Sequence, residues 1–164
     1  MKGLVFFAIT LISISSISAE GVSADEFAIR LEALSQDPKS TDHDFASLLE
    51  AFELPEEGFE DPTQDEVFEC LRLITQIYFM ASPSGKTDAT VSSKADIVVY
   101  AAKGVPKIRR LIERHPEGRI PFEELGKTTF EEANRMSFER EEREKANKTL
   151  QPTPDPPGGK AEDG

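Results

Sequence analysis

The sequence predicts an all-α fold: a single helical domain of about five to six helices, arranged as helical hairpins or an irregular bundle. A cleaved signal peptide precedes it and a disordered tail follows it. Three observations carry this expectation. Apolar residues recur at i, i+3, i+4 and i+7 in successive blocks between residues 24 and 138. Capping residues, prolines or glycines bound most of these blocks. The one β-prone run, Val98-Val99-Tyr100, sits among alanines and Lys103 with no partner strand in sight, so it too is assigned to a helix.

The chain opens MKGLVFFAITLISISSISAEG. Lys2 supplies a positive start, and Gly3 to Ile17 form an apolar stretch shorter than the about 20 residues that span a bilayer. Ile17-Ser18-Ala19 offers a cleavage point, so residues 1–19 are expected to be an export signal and the mature chain to be periplasmic or secreted. No cysteine lies near that point, which excludes a lipoprotein anchor. Residues 20–138 are the expected helical domain.

Ser23 to Glu26 has capping-box spacing, and Phe27, Leu31 and Leu34 follow at helical intervals, giving a first helix over about 24–35. Asp37-Pro38 stops it. Thr41 to Asp44 starts a second, about 42–53, with Phe45, Leu48, Leu49 and Phe52 on one face. LPEEGFEDP is a loop. Asp61-Pro62 opens a third helix, 62–81, apolar except for the stripe Glu69, Arg72, Thr75 and Gln76, which belongs at the centre of the domain. Residues 82–92 read as a polar connector. Ser93 to Asp96 caps a fourth helix that ends near Gly104, and Pro106 begins a fifth that runs to His115 with Ile108, Leu111 and Ile112 inward. Pro116 and Gly118 break the chain, and 121–125 is a short turn. Thr128-Thr129-Phe130-Glu131-Glu132 caps a last helix over about 129–148. Its later part, 139–148, has no apolar face and is expected to be a solvated extension laced by pairs such as Glu139–Arg143. Residues 149–164 are Pro/Gly-rich and expected to be disordered.

Charge narrows the function. Residues 20–69 carry sixteen acidic against two basic side chains; residues 70–119 carry nine basic against four acidic. The whole chain has a net charge of −12. Nucleic acid and anionic membranes are poor partners for it, and a cationic protein is a better one. The basic middle holds Lys103, Lys107, Arg109, Arg110, Arg114 and Arg119, of which Lys107, Arg110 and Arg114 share one side of a helix. That surface binds an acidic partner or pairs with the acidic first two helices of the same chain.

No motif reaches the specificity that chemistry requires. FMASPSGKTD, residues 79–88, ends in Gly-Lys-Thr, but a phosphate loop needs a glycine where Met80 stands, and Pro83 removes a backbone donor. Asp42-His43-Asp44, with Glu56, Glu57, Glu60, Asp61 and Asp65 nearby in sequence, is a candidate start of a metal site. Neither an EF-hand spacing nor a pair of histidines three or four residues apart is read in the chain. His115 sits at a helix C-terminus, where a partly positive ring is favoured. Cys70, the single cysteine, falls on the apolar side of the third helix and reads as a buried, inert thiol. No cofactor is implied. The functional expectation is an exported, acidic, non-catalytic protein of the inhibitor, immunity or accessory type. It would dock a protein partner through Glu56, Glu57, Glu60 and Asp61, with Lys107, Arg110 and Arg114 as a second, basic surface. One alternative is an enzyme with a dispersed site around His115. Another is a carrier with an apolar cavity beside Tyr78 and Tyr100.

Overall fold

The computed structural model describes residues 21–54, 61–83 and 86–150. The expected signal peptide, most of the expected tail and residues 55–60 lie outside that set. The described residues are mostly helical, with six helices and one two-stranded sheet: α1 (Ala24–Gln36), α2 (Asp42–Ala51), α3 (Gln64–Ala81), β1 (Thr90–Ser92), α4 (Asp96–Gly104), α5 (Pro106–Arg114), β2 (Arg119–Pro121) and α6 (Phe122–Leu150).

Caps set the early boundaries. Ser23 Oγ accepts from the Glu26 N–H, and Thr41 forms a reciprocal box with Asp44. α3 begins two residues later than the Asp61-Pro62 signal suggests. Thr63 is its cap, because the Thr63 hydroxyl takes the Glu66 N–H while the Glu66 carboxylate accepts the Thr63 N–H at 2.7 Å. Thr63 and Glu66 thus satisfy one N–H each, reciprocally.

Four expectations are corrected. The stretch 82–92 is not only a connector, since β1 pairs antiparallel with β2, with Val91 opposite Ile120. Ser93 does not cap α4; its N–H donates instead to the Gly118 carbonyl across this sheet, at 2.9 Å. The turn expected at 121–125 is the first part of α6. Thr128 and Thr129 do not cap a helix but donate their hydroxyls back to the carbonyls of Glu124 and Gly126 within it.

α3 is the central helix: Val67, Leu71, Ile74, Ile77 and Tyr78 are buried along it. α6 lies against α3 along its length and α4 packs on another side of α3. α2 closes over α3 and β1, and α5 bridges α4 and α6. In the α3–α6 seam a Cβ at Gly126 would collide with the Tyr78 ring, itself held edge-on by Phe122 at 5.8 Å. At the other end of the molecule α1 docks on α2, with the Phe27 and Phe52 rings 4.7 Å apart and Val22 in a parallel bridge to Phe52. Among the described residues no helix is long and apolar enough to cross a membrane.

Candidate functional site

The sheet joins two helix–loop–helix units. α3, the segment carrying β1, and α4 form one; α5, the segment carrying β2, and α6 form the other. Three residues in each strand suffice because Val91 and Ile120, facing each other at the centre, are both fully buried. Glu50 of α2 fastens the pair from outside. Its Oε1 accepts from the Ser92 N–H at 2.7 Å and from Arg119 Nη1 at 2.6 Å, while Arg119 also donates to the Thr90 carbonyl at 2.9 Å.

The second loop turns sharply at Gly118, whose φ of 79° lies in the left-handed region that glycine tolerates. The turn folds His115 back between two carboxylates. His115 Nδ1 is 3.0 Å from Glu117 Oε1, and Nε2 is 2.7 Å from Glu124 Oε2 in the first turn of α6. Arg114 Nη1 approaches the other Glu124 oxygen at 3.4 Å. The His115 side chain is 20% exposed, so water screens these contacts only in part. The Glu124 hydrogen bond, with help from Glu117, raises the His115 pKa above its ordinary value of 6.5 against the opposing effect of burial. The Glu117 carboxyl is correspondingly lowered, first by a backbone hydrogen bond and then by the imidazole.

This geometry exposes a pattern that the sequence reading missed. Glu113, His115, Glu117, Gly118 and Glu124 stand at the first, third, fifth, sixth and twelfth positions of an EF-hand loop, and Ile120 stands at the eighth, in the strand. An EF-hand spacing is therefore present at 113–124, contrary to the sequence expectation. The signal was the interval from Gly118 to Glu124, concealed because His and Glu stand where Asp and Asn are usual. The side chains do not fit calcium. That ion takes a shell of oxygen ligands, whereas here an imidazole occupies the loop and engages the carboxylates of positions five and twelve. The first unit departs further, with Ala89 and Ala95 where Gly118 and Glu124 stand in the second.

The other candidate residues are dispersed. Glu56, Glu57 and Glu60 lie outside the described residues, and Asp61 is exposed. Lys107 and Arg114 face carboxylates of α6 rather than the acidic first helices. Lys107 Nζ is 3.4 Å from Glu131 and 2.9 Å from Glu132, Arg114 meets Glu124, and Arg110 is exposed. Arg119 of the basic set reaches α2, through Glu50. Asp42 and His43 gather with Asp88 rather than with Asp44, their ligand atoms within 4.8 Å of one another. They sit at the N-terminus of α2, where the helix dipole favours anions over cations. Cys70 is buried, donates to the Ile97 carbonyl at 3.3 Å, and has its pKa pushed up to about 12 by burial, which keeps it in the unreactive thiol form. Both ring nitrogens of His115 are engaged by carboxylates, so neither is free to take a proton from a substrate hydroxyl. On the side facing α6, Tyr78 packs against Phe122 and the Gly126 backbone.

Comparison with protein-family models, with curated proteins and with solved structures finds no match to this chain.

Proposed function

We propose that the chain is an exported, non-catalytic protein-binding module of the inhibitor or accessory type, which grips a cationic, partly apolar segment of another protein. The observation that carries this is an aromatic pair on the α3–α6 seam. Phe79 and Phe130 meet edge-on at 5.4 Å, yet remain 44% and 42% exposed. Two adjacent rings half open to water form a foothold for an apolar side chain of a partner. An amphipathic helix of a partner is recognised by laying its apolar face on such a foothold. The acidic charge of residues 20–69 selects a basic partner and speeds its approach.

The test uses residues 20–164 as bait in an extract of the native source, beside Phe79→Ser/Phe130→Ser and a variant with Glu56, Glu57, Glu60 and Asp61 as amides. The expected result is one stoichiometric partner, lost with the aromatic double variant and released by high salt. Both rings are already partly exposed, so the double variant keeps the fold. Capture unchanged in both variants would remove the aromatic seam and the acidic surface together as the docking face.

A further inference from the structure

We propose that His115 is a proton-operated latch: its imidazolium fastens the end of α5 to the start of α6 through Glu117 and Glu124. This goes beyond the binding role proposed above and does not depend on it.

The geometry itself requires a proton. Both ring nitrogens face carboxylate oxygens, at 3.0 and 2.7 Å. A carboxylate accepts and does not donate, and only the imidazolium carries an N–H on each nitrogen. In the neutral ring one nitrogen lone pair would face a carboxylate lone pair at hydrogen-bond distance, and one of the two contacts must open. The charges give the same answer. The groups gathered on the ring are Glu117 of the loop and Glu124 of α6, with Arg114 of α5 sharing Glu124. With His115 protonated, two carboxylates face two cations; after proton loss one carboxylate is left in excess in a partly screened site.

The direction of the pH response follows. A ring whose pKa is raised by folding contributes stability that is fully present below its ordinary value of 6.5 and is lost as pH rises through the folded-state value. What opens is local: the turn at Gly118 and the hold of Glu124 on α5. The core of α3 and the contact of Val91 with Ile120 do not depend on the proton. Where EF-hand units respond to an ion, this loop responds to acidity.

Imidazole NMR titration of the full chain, assigned with His43→Gln, tests the latch, together with amide exchange at residues 115–122 followed across the same pH range. The expected result is a His115 titration above 6.5, with both ring nitrogens protonated below it. Loop protection, corrected for the intrinsic base-catalysed rate, should fall above that point, by up to about tenfold for each unit by which the pKa is raised. His115→Lys, which keeps a cation in place, should make loop protection independent of pH between 6 and 8, and Glu124→Gln should lower the His115 pKa. A His115 that titrates at or below 6.5, or intrinsic-rate-corrected loop protection that is the same with the ring charged and neutral, overturns the proposal. Both results can be read in the unmodified chain, so a variant that fails to fold leaves the test intact.

Discussion

Replacing Lys107 and Arg135 together with methionine should destabilise the protein at pH 7 more than any change to its exposed ion pairs. Glu132 projects from α6 into the junction with α5, and only 3% of its side chain is exposed. Burial alone would push its carboxyl up. Lys107 Nζ at 2.9 Å on one oxygen and Arg135 at 3.0 Å on the other outweigh that effect and hold it below the ordinary value of 4.5. Removing both cations leaves a buried carboxylate with nothing to balance it. Stranding such a charge costs about 3 kcal/mol, the low end of the usual range because water reaches the mouth of the site. The pH dependence distinguishes this from a general packing defect. In the parent, the lowered pKa contributes stability above 4.5 that is lost as pH falls through the folded-state value. In the double variant the unpaired carboxyl has a raised pKa, so stability should recover as pH falls and Glu132 takes up a proton. Adding Glu132→Gln should restore much of the loss at pH 7. Urea melts between pH 4 and 8 measure all three. A double variant as stable as the parent at pH 7 would mean that Glu132 is not buried at this junction.

Gly126→Ala should destabilise as well, although alanine is the better helix former. In an open helix that exchange gains about 1 kcal/mol. Here the new methyl would enter the ring of Tyr78, which is itself buried and backed by Phe122. Overpacking of this kind costs about 1–3 kcal/mol and more where the neighbour is rigid. The net effect should be a loss of about 1–2 kcal/mol in thermal or urea unfolding. Tyr78→Leu in the same chain should reduce the penalty, because a smaller side chain faces the methyl. A stabilised Gly126→Ala would show that α3 and α6 do not meet at this point.

Much of the helical pattern is legible in the sequence, and the reasons are local. α1 and α2 each carry an apolar face and a capping residue whose acceptor lies three residues from its donor, so the sequence interval is the structural contact. α5 is marked by Pro106 in its first turn and by the buried Ile108 and Leu111. Reading failed where local chemistry is ambiguous. Thr128-Thr129 followed by acidic residues is as good a cap by composition as Thr63 is, and only the Phe122–Leu125 face buried against α3 carries the helix through it. The strands of three residues are too short to display an alternation, and their partners are distant in sequence. Charge pairing was misplaced for the same reason: composition sets acidic against basic segments, but the chain path puts Lys107 and Arg114 beside α6 rather than beside α1. At the 113–124 loop, Gly118 was read as a breaker because its relation to Glu124 has meaning only once the turn is known to return to α6.

The most direct test of closure by an imidazole instead of an ion is a calorimetric titration of the chain with calcium, at pH 6 and at pH 8. A ligand set with an imidazole among its carboxylates predicts no saturable binding in the roughly 10⁻⁷–10⁻⁵ M range of calcium sensors at either pH. A single site in that range, filled with displacement of His115 from Glu117 and Glu124, would contradict it and make this loop an ion site after all.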